Sequence, residues 1–555
     1  MGNMLPWSTA ALYRQNVADD QVRRKMVVKK LLERLNINDP EIQVRRRAIL
    51  SMPLLQLRDA LQQEQLRAGD VVEAYFWKCL AIQAEVNCIT DFLIESVNEA
   101  KQMDEKWAGR SDKPPLFGVP FSVKSNLYVY GHSCAMGLAK YLEPVDCECS
   151  LVTYLRSLGA IPIVMTNVPQ ALLSFVCSNS VYGTTKNPHD HERTPGGSSG
   201  GECALLASGG IPFGIGSDLA GSLRIPASMC GVITLKSGQD RLVVKNCHAG
   251  IPGRGRLGLG YGFFTKTVDD QVELLRLVYG SPEYCRLAPK CAPVPLSSQR
   301  IKEASRKKLR LGYFTNDGFL PSVPACVRVV EDTVEKMKLL GHEMVRFSVP
   351  EPDVAASLSY INLLPDGGSY TLHLFDDEVV SRFMKQFVLL LKIPKWIRFI
   401  GSFLLSGISK QFSIIAKSYV TNVSELREVQ EDTDNYIENF TNLWNEYEID
   451  GLICPAFPVP AVPHEYPSSL TSCVFATALF NMLDYPAGIV TTGKVTSEDE
   501  AKVLSEDDWP TGVNFVLKTM RNACQGSTGL PLSVQVVCLP YHEEECLAIM
   551  KQIAR

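Results

Sequence analysis

Residues 194–237, TPGGSSGGECALLASGGIPFGIGSDLAGSLRIPASMCGVITLKS, constrain the fold more than any other stretch of the chain. Two glycine-flanked serine turns alternate there with short apolar segments. GGECALLASGG reads as a helix closed by glycines, IPFGIGSD as a strand, and the residues after Ser222 as a second helix leading to GVITLKS. The flanking chain repeats this alternation. GAIPIVMTN is a buried strand running into a loop; LRLGYFT, a helix over CVRVVEDTVEKMKLL and the strand HEMVRFSV follow; IDGLICPAF, LPLSVQVVCL and the helix EEECLAIMKQIAR lie near the end. Such a succession predicts an α/β fold with helices on both faces of the sheet.

A chain of 555 residues ordinarily divides into several domains, yet no Pro/Ser-rich or charged linker separates two halves. One large domain with an N-terminal addition is therefore expected. With 46% hydrophobic and 21% charged residues and a net charge of −4, nothing points to a nucleic-acid partner. Seventeen cysteines without CxxC pairs, and no secretory signal, predict reduced core thiols rather than disulfides or a zinc site. The eight histidines form no HExxH, His189 and His191 read as loop side chains, and neither metal nor cofactor is predicted. The start MGNMLPWSTAALYRQ is too poor in apolar residues to span a bilayer, and Pro6 stands where a myristoylation signal takes Ser or Thr. VRRKMVVKKLLERL then reads as a basic helix packed on one side.

Between Val379 and Ser424 there is no acidic residue, whereas Arg382, Lys385, Lys392, Lys395, Arg398, Lys410 and Lys417 are basic. Within it Trp396, Phe399, Ile400, Phe403, Leu404, Ile408, Phe412 and Ile415 recur at helical spacing. A basic amphipathic helix with Trp and Phe on its apolar side suits a membrane interface, and ordinary core packing is the competing reading. Pro394 interrupts the pattern, which predicts a cap of two helices at about 385–420.

The pentapeptide GSSGG fits the nucleophile-elbow pattern with Ser199 at its centre, but NPHDHERTPG before it is loop, and an elbow needs a strand there. No GK[ST] follows, so it is not a phosphate cradle either. The second serine turn, SDLAGSLRIP, clusters the amides of Leu219, Ala220, Gly221 and Ser222, a pattern able to form an oxyanion hole. Upstream, Lys124 of GVPFSVKSN is a lone lysine at the end of an apolar run. In a dry site its pKa falls, and it can serve as a base. Asp218 and Arg224 read as structural anchors of the turn, and Ser199 as a hydrogen-bonding loop residue.

With GVPFSVK, TNVPQ, PGGSSGG, SDLAGSLRIP, CGVITLK, LDYPAG and GLPLSVQ in this order, the chain resembles the amidase signature family of Ser-Ser-Lys hydrolases from about Leu54 onward. Within that family it is most similar to the vertebrate fatty acid amide hydrolases, on MPLLQL, SFVCSN and the IPKW cap. The resemblance implies an amidase signature fold with a central mixed sheet, a helical region over 1–53 and the amidase domain over 54–555. It also implies Ser222 as nucleophile, Ser198 as a bridging serine at a cis peptide bond, Lys124 as the base, and Leu172, Leu173 and Phe175 along an acyl-chain pocket. The expected substrates are lipid amides, N-acylethanolamines or primary fatty amides. Attachment is expected to be peripheral, on an intracellular membrane face through the cap, and a homodimer is compatible with the pattern.

Four positions depart from the family: Cys203 and Ala220 stand where Gly is usual, and Thr234 and Ser237 replace the Gly and Pro after the second helix. Ala220 is expected to restrict φ and disturb the oxyanion turn. Two other readings stay open to these residues. One is a soluble amidase of small amides or an amidotransferase subunit; the other is a weakly active or non-catalytic lipid-binding homologue.

Overall fold

A computed structural model describes residues 7–35, 39–251, 253 and 255–555. The Met-Gly start and Pro6 lie outside the described residues. The strands in chain order are β1 (Ile89–Phe92), β2 (Pro120–Lys124), β3 (Ile161–Thr166), the hairpin β4 (Ser178–Asn179) and β5 (Gly183–Thr184), β6 (Gly214–Asp218), β7 (Ile233–Lys236) and β8 (Gly260–Thr265). They continue with β9 (Arg310–Tyr313), β10 (Glu343–Arg346), β11 (Gly451–Pro455), β12 (Ala487–Lys494) and β13 (Pro531–Val537). All but the hairpin join one mixed sheet of 11 strands, ordered β1-β3-β2-β6-β8-β7-β12-β13-β11-β9-β10. This is the α/β architecture expected from the alternating pattern.

The inner strands are apolar runs buried along their whole length: PFSVK, IPIVMT and PLSVQVV have no exposed position. Burial on both faces is what such runs require, and helices supply it. Helix Ser150–Ser157 lies between β2 and β3 in the chain, and Gly200–Ala207 leads into β6. Strands β3, β2 and β6 are parallel neighbours, so Lys124 and Asp218, the last residues of β2 and β6, emerge at the same end of the sheet. In open α/β sheets this carboxyl end forms the ligand crevice.

The core is continuous from Leu31 to Ile553. Of the seventeen thiols only Cys147, Cys247 and Cys285 are less than fully buried, as small core side chains should be. At the N-terminal side, helix Trp7–Arg34 lies against the β1 edge, where Arg23 donates to both Asp91 oxygens at 3.0 and 2.9 Å. Asp39 caps the next helix, Pro40–Leu50, by accepting from the Glu41 and Ile42 amides.

The cap has three helices where two were expected: Lys385–Lys392, Lys395–Ser406 and Lys410–Lys417. Pro394 makes the first break, and Ser409 makes the second by turning extended and accepting the Phe412 amide at 3.4 Å, which starts a new helix. The apolar stripe also divides. Trp396, Phe399, Ile400, Phe403, Leu404 and Ile408 are exposed, whereas Phe412 turns inward and rests on Phe515 at 4.7 Å between ring centres.

Candidate active site

Glycine at 196 and 197 is demanded by close packing. Gly196 has φ +84°, and a Cβ there would lie 2.7 Å from Pro226 Cα; at Gly197 it would lie 2.6 Å from the Ser174 carbonyl oxygen. The Gly197–Ser198 peptide is cis. These contacts hold Ser198 against the end of β2, where its buried Oγ lies 2.8 Å from Lys124 Nζ. Ser199 differs from expectation: its hydroxyl is buried and meets no partner among the described residues. Its backbone does the bonding instead, giving its N–H to the Ser222 carbonyl at 3.2 Å and accepting from the Cys203 amide. That first bond ties the two serine turns together.

Lys124 is fully buried. Besides Ser198, Nζ donates to the Ser217 carbonyl and to Ser217 Oγ, both at 3.1 Å, and Asn126 Nδ2 donates to the same Ser217 Oγ at 3.2 Å. A neutral amine has two N–H bonds and one lone pair. The Ser217 carbonyl can only accept, so Ser198 is well suited to give a proton to that lone pair. Burial lowers the Lys124 pKa to about 7, against the opposing pull of the Asp218 and Glu202 carboxylates.

The second turn is organised by Asp218. Its carboxylate accepts the amides of Gly221 at 2.7 Å and Leu223 at 3.1 Å, and pairs with Arg224 Nε and Nη2, each at 3.0 Å. Arg224 reaches on to the Thr477 carbonyl at 2.9 Å and to Gln535 at 2.8 Å, while Asn481 Nδ2 donates to Asp218 at 2.9 Å. Helix Phe475–Met482 and β13 thus clamp the turn from the far side. Burial alone would raise the Asp218 carboxyl, but the Arg224 charge and hydrogen bonds, with Lys236 and Asn481, hold it well below the usual carboxylate range. Both residues are structural anchors, as expected.

Two corrections follow for the four amides of this turn. Gly221 N–H is already given to Asp218, which leaves those of Leu219, Ala220 and Ser222 without an acceptor among the described residues. Nor does Ala220 strain the turn. The left-handed φ falls on Gly221, at +124°, where a Cβ would lie 2.2 Å from Thr477 Oγ1; that same hydroxyl holds the Ala220 carbonyl at 2.6 Å. The other departures are absorbed by packing. Thr234 Oγ1 donates to the Phe263 carbonyl at 2.8 Å, Ser237 meets the Tyr279 hydroxyl, and Cys203 is fully buried.

Leu172 and Leu173 pack in a satellite apolar cluster with Leu374, Met384 and Val388, between the body and the first cap helix. Phe175 is separate from them. It sits in the main core, edge-on to Phe457 at 5.3 Å, and its carbonyl accepts Thr194 Oγ1 at the start of the serine loop. A cavity of about 530 Å³ opens beside Leu219, lined also by Gln239, Val244, Lys245, Tyr261 and Lys290.

Three polar neighbours of Lys124 were not singled out from the sequence: Asn126, Ser217 and Glu202. The signal for Glu202 was its place as the lone acid in the apolar run GGECALLA, which packs on all sides and encloses it.

Lys124, the two serine turns and the free amides thus meet at the carboxyl end of a mixed sheet. The Amidase family model matches residues 70–547, and the chain belongs to that family, the amidase signature enzymes, which hydrolyse amides. It is 35% identical over 516 residues to fatty acid amide hydrolase 1 of Caenorhabditis elegans, covering 92% of this chain and 89% of the relative. It is 30% identical over 562 residues to the fatty-acid amide hydrolase 1 of Sus scrofa, covering 99% and 94%. A solved fatty acid amide hydrolase shares the fold with a TM-score of 0.80 at 21% identity, over 99% of this chain and 97% of that one.

Proposed function

We propose that this enzyme hydrolyses fatty acid amides, N-acylethanolamines or primary fatty amides, through Ser222, Ser198 and Lys124. The observation that carries the reading is the fully buried Lys124 amine 2.8 Å from Ser198 Oγ, on a loop bonded through Ser199 to the Ser222 carbonyl. The Lys124 lone pair takes the Ser198 proton as Ser198 takes that of Ser222, and Ser222 Oγ bonds to the acyl carbon. The amides of Leu219, Ala220 and Ser222 stabilise the oxyanion. The proton returns along the same path to the amide nitrogen as the C–N bond breaks. Water, activated by the same relay, then releases the fatty acid and restores Ser222. A fluorophosphonate probe tests this: it should label the wild type and not Ser222→Ala, and oleoyl amide should be cleaved faster than a short-chain amide. An unlabelled wild type would overturn the serine-hydrolase reading, and preference for the short chain would favour a small-amide amidase.

Because Lys124 acts as a base only when neutral, and its pKa lies at about 7, kcat/KM should climb with pH up to about 7 and level above it. A profile flat from pH 5 to 9 would count against this base.

The cap supports a lipid substrate and peripheral attachment to a membrane. Trp396, Phe403 and Leu404 are 66, 58 and 76% exposed, beside the basic Lys392, Lys395 and Arg398. Among the described residues no helix is long and apolar enough to cross a bilayer. Each such side chain is worth about 1.5–3 kcal/mol on leaving water, so replacing all three by serine should weaken liposome partitioning about 100-fold or more. Co-sedimentation reads this directly, and unchanged binding would reject the cap as the membrane contact.

A further inference from the structure

Beside the relay lies a buried acid that the mechanism above does not use. Glu202, on helix Gly200–Ala207, is fully buried, and its carboxylate accepts from Ser122 Oγ of β2 and, at 2.6 Å, from Thr166 Oγ1 of β3. Ser122 lies two residues before Lys124, and Thr166 pairs with Lys124 across the two strands. The fit is built in: a Cβ at Gly214 on β6 would lie 1.9 Å from Glu202 Oε2, so only glycine there makes room for the carboxylate.

We propose that Glu202 is a positioning residue for amide hydrolysis: clamped by Ser122 and Thr166, it joins the two strands that present Lys124 and supplies the buried negative charge against which the amine takes and releases its proton. This rests on the reading of Lys124 as the base. Lys124 is faced by Asp218 at the end of β6, by Glu202, and by the thiols of Cys177 and Cys203. Glu202 is faced by Lys124 and by the thiols of Cys88 and Cys203. Burial raises all three thiols, which stay neutral at physiological pH. Asp218 has its own counter-ion in Arg224. The hydrogen-bond partners of Glu202 are neutral hydroxyls, so Lys124 is the cation that faces its carboxylate whenever it ionises. Burial raises the Glu202 carboxyl to about 7, the same range as Lys124, so the two titrate together.

The test is the pH profile of oleoyl amide hydrolysis by the full chain carrying Glu202→Gln. Removing the negative charge favours the neutral amine, so the acid limb should move to lower pH by about one unit. Ser122→Ala takes a donor from the carboxylate, raises its proton affinity and should move the limb the same way by less. A limb at the wild-type position in folded Glu202→Gln overturns the proposal. Should that variant fail to fold, an unmoved limb in Ser122→Ala overturns it. Failure of the underlying reading looks different: the wild type would then show no acid limb, or Lys124→Ala would retain full activity.

Discussion

Ser222→Ala is expected to lower kcat for oleoyl amide by roughly 10⁴–10⁶-fold, the scale on which a serine hydrolase loses its nucleophile. Lys124→Ala should fall comparably, because residues of one relay fail as a unit. The two variants separate on the leaving group. An amine departs only with a proton, which the proposed Ser198–Lys124 relay would deliver, whereas an alkoxide leaves more readily without one. Lys124→Ala should therefore lose several-fold more activity on an oleoyl amide than on the matching methyl ester, while Ser222→Ala loses both alike. Single-turnover assays on the two substrates measure this, and equal losses in Lys124→Ala would reject the relay. The Lys124 pocket makes the contrast sharp, since all three Nζ contacts are to serine oxygens within 2.8–3.1 Å.

Asp218→Asn is expected to cost about 3–5 kcal/mol of stability, the usual loss when one partner of a buried ion pair is removed. Both side chains of the pair are 0% exposed. The Asn variant leaves the Arg224 guanidinium charged in the core and gives poorer acceptors to the Gly221 and Leu223 amides. The folded pKa of Asp218 is depressed, so its contribution is fully present above the unfolded carboxyl value near 4 and is lost only as pH falls below it. Urea unfolding at neutral pH thus reads the whole effect. A loss under about 1 kcal/mol would show that the pair does not hold the turn. Adding Arg224→Met to Asp218→Asn should recover part of the loss by removing the stranded charge.

Much of the fold was legible because its signals are local. Short apolar runs, glycine stops and helical spacing mark GAIPIVMTN, GGECALLA and LPLSVQVV wherever they finally pack, and all three form the expected elements. The split cap was missed because Ser409 ends one helix and caps another only in its particular backbone conformation, extended at φ −158°. The role of Ser199 was misjudged because whether a buried hydroxyl finds a partner depends on what packs over it.

By itself, then, the sequence determined the alternation of strands and helices and the family, and it is that resemblance which names Lys124, Ser198 and Ser222, the residues on which the proposed chemistry turns. The tertiary structure decided what state those residues are in. Lys124 meets Ser198 across 74 positions of chain, and Arg224 finds Gln535 across 311. Contacts at such separations leave no periodic trace. Only the packed core fixes how dry Lys124 is, which carboxylates act on it, and that the Gly221 amide is spent on Asp218. The physical reason is that proton affinity and hydrogen-bond availability belong to an environment, and the parallel β2, β3 and β6 assemble this one from distant segments.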